Sequence, residues 1–336
     1  MARVLNRLQL PALLLVISFN AAVIWQLVII TSMNEPFRTA PEEDPMFVRF
    51  PLSSNWTFAS GSSSQTPFHC YDGDALVLHG AADWGYFAAL VAEEPYVPVR
   101  TTGGKALATL WVMDYRATVA GPYQELVLTF VATLGQQPLE VDCAGDVYCA
   151  TRLLAFDPRV VMYAAKLWLT EQLPIDYGRE ILGLDKVAAV ASPLPISRPS
   201  HLTKAFRFVD QATGALVVEG LVQEDDSLWT QLAELPSVVE SLGVLNFCKL
   251  LANSYSHTTL IGRPGVALRY PHANPRSSSV VRTDALRFDT KFQRWSEADG
   301  HSFRLGDHPD IAATGFTPLL IQRTANMRFV FNSPQN

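Results

Sequence analysis

Lys186 is a single cation in an apolar run: from Ile181 to Ala191 the chain reads Ile-Leu-Gly-Leu-Asp-Lys-Val-Ala-Ala-Val-Ala. A protonated lysine is a poor nucleophile, and at its ordinary pKa only about one side chain in 2,500 is free amine at neutral pH. Removal from water disfavours the charged form and turns such an amine into a nucleophile toward ketones, with an imine as the covalent product. The alternative is a strand-edge lysine whose stem lies along the apolar run while its ammonium reaches water. A second segment, Gly-Pro-Tyr-Gln-Glu-Leu-Val-Leu at 121–128, puts the carboxylate of Glu125 at the head of an alternating apolar strand that continues through Phe130 and Val131.

Taken together, Gly-Pro-Tyr-Gln-Glu at 121–125 and Tyr-Gly-Arg-Glu-Ile-Leu-Gly-Leu-Asp-Lys at 177–186 resemble two motifs of the acetoacetate decarboxylase family. The resemblance runs from about Asp74 to Phe331 and is clearest at these two segments. It implies that Lys186 is the Schiff-base lysine and that Glu125 is an active-site carboxylate that orients substrate or transfers a proton. Tyr123, Arg179 and Glu180 become candidate substrate-binding residues, with bracing of their helix as the other role for Arg179 and Glu180. The fold implied is α+β and β-rich, a barrel or cone of mostly antiparallel strands. The activity implied is that of a lyase acting on a ketone or β-keto acid, by decarboxylation or a related dehydration, aldol or cyclisation step, in the biosynthesis of a lipophilic secondary metabolite. The covalent imine with Lys186 takes the place of a separate cofactor, and a homo-oligomer is implied as well. The chain departs from the family at four places. Asp185 stands where the family has proline, Val187 replaces a second lysine, Leu110 takes the place of another active-site glutamate, and no arginine of the family's N-terminal stretch has a counterpart between His69 and Trp84. Those departures imply a different substrate or a different step after imine formation.

At the amino terminus, Leu10–Thr31 carries no charge, and about 20 apolar residues suffice to cross a bilayer. Thr31-Ser32-Met33-Asn34 is a poor cleavage site, so the segment reads as an uncleaved signal anchor, with a cleaved signal peptide as the alternative. Arg3 and Arg7 precede the span, which places residues 1–9 in the cytosol and the remainder in the secretory lumen. Asn55-Trp56-Thr57 is a glycosylation acceptor usable only there. Pro36, Pro41, Pro45, Pro51 and Pro67, with the Ser-Gly-Ser-Ser-Ser run at 60–64, read as an extended stem over residues 32–68. Residues 69–336 then form one domain. Cys70, Cys143, Cys149 and Cys248 are either two disulfides or buried thiols, and Cys143 with Cys149 is the nearest pair.

Within residues 69–336, strands are expected at Ala106–Val112, Glu125–Leu134, Val160–Leu169, Ala205–Val209, Ala215–Val222, Val266–Tyr270, Val281–Phe288 and Met327–Phe331, with a hairpin loop at 210–214. Helices are expected at Asp83–Val91, Pro174–Leu182 and, broken near Pro236, Leu228–Leu251. A net charge of −6 without a basic cluster argues against nucleic acid as a partner. No phosphate loop, dinucleotide fingerprint, nucleophile elbow or His/Cys metal motif occurs. Asp72-Gly73-Asp74 matches the Asp-x-Asp by which lumenal glycosyltransferases of type II topology hold a metal, and also reads as a turn opening a strand. Three function classes thus remain: a Schiff-base lyase, such a transferase, and a lysine-independent barrel that binds hydrophobic small molecules.

Overall fold

The computed structural model describes residues 44–135, 137–157, 159–182, 184–192, 203–224, 260–261, 267–269 and 280–332. The expected span at 10–31, the helix at Leu228–Leu251 and Cys248 lie outside these residues. Among the described residues no helix is long and apolar enough to cross a membrane.

The strands are β1 (Ser54–Thr57), β2 (Ser63–Thr66), β3 (Phe68–Asp83), β4 (Tyr96–Pro98), β5 (Arg100–Thr101), β6 (Lys105–Thr118), β7 (Tyr123–Leu134), β8 (Glu140–Val141) and β9 (Val160–Leu169). They continue with β10 (Lys186–Ser192), β11 (Thr203–Asp210), β12 (Leu216–Gln223), β13 (Leu260–Ile261), β14 (Ala267–Arg269), β15 (Val280–Arg294), β16 (Ser302–Leu305) and β17 (Thr317–Asn332). Among the described residues five short α-helices punctuate them: α1 (Pro45–Arg49), α2 (Trp84–Leu90), α3 (Cys149–Phe156), α4 (Gln172–Tyr177) and α5 (Pro309–Ala312). The architecture is therefore the expected β-rich α+β type, with every predicted strand among the described residues present and most of them longer than their apolar cores.

Strand pairing runs in a circle. β3 pairs with β6, β6 with β7, β7 with β9, β9 in parallel with β14, β14 with β15, β15 with β17, and β17 with β3. Past residue 166 the edge of β9 away from β7 is taken by β10, again in parallel, and β10 leads into an antiparallel sheet with β11, β12 and β16. The loop between β11 and β12 is pinned by Asp210, whose carboxylate accepts from the backbone amides of Ala212 and Thr213. Because side chains alternate along a strand, the sheet carries two cores. Leu76, Leu78, Leu110, Leu126 and Leu128 pack with Phe206, Phe208 and Val218 on one face. Val77, Met113, Tyr115, Val127 and Phe329 pack with Ile175, Tyr177 and Leu182 on the other.

The segment expected to be an extended stem is instead packed against the strands from residue 44 onward. Asp44 pairs with Arg328 at 2.8 Å, and Phe47 is buried beside Val330. The β1–β2 hairpin buries Phe58 and is tethered at its loop by Asp176, which accepts from the hydroxyls of Ser60 and Ser62. Its proline and serine content therefore marks tight turns and carboxylate ligands. Cys143 and Cys149, the pair singled out from sequence, form a disulfide with a Cα–Cα distance of 5.7 Å, while Cys70 is a buried free thiol, and burial pushes it well above the usual thiol range.

Candidate active site

Three neighbouring strands set the geometry. Leu167 of β9 pairs with Lys186 of β10 on one side and with Val127 of β7 on the other. Glu125 lies two residues from Val127, hence on the same face. Register alone thus brings the carboxylate and the amine to one surface, and their side chains meet with Nζ 3.1 Å from Oε1. Both are buried, at 6% and 4% side-chain exposure. The distance is that of an ion pair, yet Glu125 Oε1 has no partner aligned for a hydrogen bond. We read the contact as a close charge pair with acceptor capacity to spare.

Around this pair is a cavity of about 160 Å³. β6 contributes Trp111, Met113 and Tyr115, β7 contributes Tyr123, Val127 and Thr129 beside Glu125 itself, and β17 contributes Met327, Phe329 and Phe331. Each set is spaced by two, as residues on one face of a strand must be. Tyr177 and Leu182 close it from α4 and the wider turn that follows, Gly178–Leu182, which is a π-helix. Such turns are rare and are often found at functional sites. Gly178 has a direct steric purpose: a Cβ there would collide with Cδ and Cε of Lys186.

Most polar groups of the lining already have partners. Thr129 and Thr109 share a hydrogen bond, Trp111 donates to Thr109 at 2.7 Å, and the Tyr115 hydroxyl bonds the Met113 sulfur. The Tyr177 hydroxyl does not: it is buried, without a hydrogen-bond partner among the described residues, and burial pushes its phenol well above the usual range. Its ring packs edge-on against Phe68 at 5.1 Å between centroids.

Of the residues singled out from sequence, Lys186, Glu125 and Tyr123 line the cavity. Arg179 and Glu180 are not among its lining residues and take the other role considered for them, that of structural braces. Arg179 donates from Nε to the backbone carbonyl of Lys186 at 2.6 Å, and Glu180 accepts from the amide of Ala59 at 2.9 Å. One fixes the start of β10 and the other holds the β1–β2 loop. Asp185 points away from the amine and pairs with Lys166 at 2.8 Å. Lys166 is partly buried, which works against its charge, but the Asp185 bond and the nearby acids hold its pKa above the ordinary value. Leu110, set in the place of a second glutamate, lies in the opposite core and faces away from the cavity.

The Asp-x-Asp alternative fails on its surroundings. Asp72 and Asp74 lie within β3, not at a turn, and both engage Arg116, with contacts of 2.6 Å to each carboxylate. The Arg116 hydrogen bond holds Asp72 below the usual carboxylate range. Among the described residues no group of three or more His, Cys, Asp or Glu side chains is placed to hold a metal. Asn55 is exposed on β1.

Sequence reasoning missed Tyr177 and Gly178 as site residues, although both stand in the motif that holds Lys186. It also missed the alternating sets at 111, 113, 115 and 327, 329, 331, whose period of two was the available signal.

No family model and no curated protein matches this chain. Solved structures do resemble it in fold. An acetoacetate decarboxylase from Legionella pneumophila aligns at 10% identity with a TM-score of 0.47, covering 81% of this chain and 88% of that one. The enduracididine biosynthesis enzyme MppR, complexed with pyruvate, aligns at 12% identity and a TM-score of 0.43, over 79% of this chain and 88% of the other. An acetoacetate decarboxylase-like enzyme from Sphingomonas wittichii aligns at 10% identity and 0.43, over 85% of this chain and 100% of its own. These structures are what the chain is similar to, at 10–12% identity and TM-scores of 0.43–0.47.

Proposed function

We propose that this protein is an enzyme that forms an imine between Lys186 and the carbonyl carbon of a small ketone or β-keto acid. The observation that carries the reading is the buried amine of Lys186 set 3.1 Å from the buried carboxylate of Glu125 at the wall of an apolar cavity. A proton shared across that distance leaves the pair neutral whichever group holds it, so the free amine is reached by one local transfer to Glu125. Nitrogen then attacks the carbonyl carbon, and the carbinolamine loses water to give an iminium. That cation accepts the electron pair of an adjacent C–C or C–H bond, releasing CO2 or a proton, and the enamine is reprotonated on carbon and hydrolysed. In this reading Glu125 gives and takes the proton at each stage. Tyr123 shapes the wall beside it.

Deuterium exchange at the α-carbon of a ketone tests the reading, because iminium formation acidifies those protons. Followed by NMR in D2O, exchange should be abolished in Lys186→Ala and lowered about 10²- to 10⁴-fold in Glu125→Gln. Exchange that persists in Lys186→Ala would leave a lysine-independent binding barrel as the better description. We further propose a lumenal location, supported by the Cys143–Cys149 disulfide and the exposed acceptor Asn55. Disulfides persist in oxidising compartments.

A further inference from the structure

Resting on that reading, we propose that the carbonyl compound taken up here is neutral, about the size of a six-membered ring, and bears a second oxygen that meets Tyr177. Three observations point to this class. The first is volume: about 160 Å³ is close to the roughly 150 Å³ of an engineered apolar cavity that takes up benzene. The second is charge. Lys186 and Glu125 neutralise each other, and an iminium on Lys186 keeps the same positive charge. Among the described lining residues there is no other cation: the remainder are Phe, Tyr, Trp, Met, Leu, Val and Thr. A ligand carboxylate would enter beside Glu125 with no counter-charge, and a buried unpaired charge is strongly disfavoured. The third is hydrogen bonding. With Trp111, Thr129 and Tyr115 engaged, the Tyr177 hydroxyl is a buried donor left for a ligand oxygen.

The test is a matched series of aldehydes. Benzaldehyde, 3-hydroxybenzaldehyde and 3-carboxybenzaldehyde, with pyruvate and acetoacetate alongside, are each titrated against the protein and trapped with borohydride. Half-saturation of the Lys186 adduct is read by mass spectrometry and divided by the same quantity for N-acetyl-lysine in solution. The two uncharged aldehydes should saturate at concentrations roughly 100-fold or more below 3-carboxybenzaldehyde. Tyr177→Phe should weaken 3-hydroxybenzaldehyde about 10-fold and leave benzaldehyde unchanged. Carboxylated compounds trapping at Lys186 as well as neutral ones would overturn the ligand class while leaving the imine chemistry intact. If nothing traps at Lys186, the Schiff-base reading falls, and Trp111-dependent fluorescence with benzyl alcohol and benzoate decides the class separately. Binding of the alcohol alone supports a neutral ligand, and equal binding or none overturns it.

Discussion

Gly178 and Tyr177 show how local the requirements of this site are. Gly178 lies against the methylene chain of Lys186, and its backbone needs no left-handed conformation, since it is not among the glycines with positive φ. Alanine at 178 is therefore tolerable to the helix, and its Cβ acts on the lysine alone. We expect Gly178→Ala to keep the native circular dichroism and to lower imine formation about 10- to 100-fold by moving the amine off line. Tyr177→Phe removes a hydroxyl that has no partner among the described residues, so its melting temperature should equal or exceed that of the parent, the relief of an unpaired buried group amounting to about 1 kcal/mol. A fall in melting temperature would reveal a bonded hydroxyl. At this scale the pairing was legible early: a lone lysine in an apolar run and a carboxylate heading a strand are neighbours in the fold. What hid the hydroxyl of Tyr177 was that its significance lies in a partner it lacks, which no spacing reveals.

The elements explain which expectations survived and which did not. Val160–Leu169 is a strand with the bounds its apolar run suggested, because both its edges are paired and both its faces are covered. β17 extends well beyond the apolar Met327–Phe331, through Gln322, Arg323 and Thr324, because two long neighbours pair with its polar half as well. Pairing of that kind depends on chain far away in sequence. The hairpin at residues 54–66 was misread for the same reason: its serine hydroxyls satisfy Asp176, and its backbone amide at Ala59 satisfies Glu180, both distant in sequence. Arg179 and Glu180 carry charge but are not cavity-lining residues, and their partners are backbone groups of β10 and of the β1–β2 loop. Asp72 and Asp74 pair across partly exposed positions with Arg116. Arg116→Ala should therefore cost only about 1 kcal/mol and leave imine formation unchanged, and Mn2+ should not raise the melting temperature of the parent protein. A metal-dependent rise would restore the transferase reading.

Over the whole molecule, acid stability depends on a histidine that is not among the residues lining the cavity. His79 is buried, bonded through Nε2 to Gln322 at 2.8 Å, and burial pushes its pKa down from 6.5 to about 4. The unfolded chain takes up a proton on this ring near pH 6.5, whereas the folded protein holds it neutral until about pH 4. Stability is thus fully present above pH 6.5 and falls as the pH drops toward 4, by about 3 kcal/mol from this group. His69 and His301 are also lowered, chiefly by burial, and act with the same sign. Asp72 adds its loss only below the ordinary carboxylate range. Urea denaturation between pH 7 and pH 4 should show this decline, and His79→Gln should flatten it; an unchanged slope in the variant would remove His79 from the account. The circle of strands was foreseeable as a class from the count of alternating runs. Its closure through the short parallel pairing of β9 with β14 was not, because parallel partners have no hairpin between them to announce the contact.

All of this converges on one covalent bond. The protein, incubated with a small neutral ketone and reduced with borohydride, should yield a single modified peptide, with the added mass on Lys186 and none in Lys186→Ala. An adduct on another lysine, or no adduct with any carbonyl compound, would contradict the account.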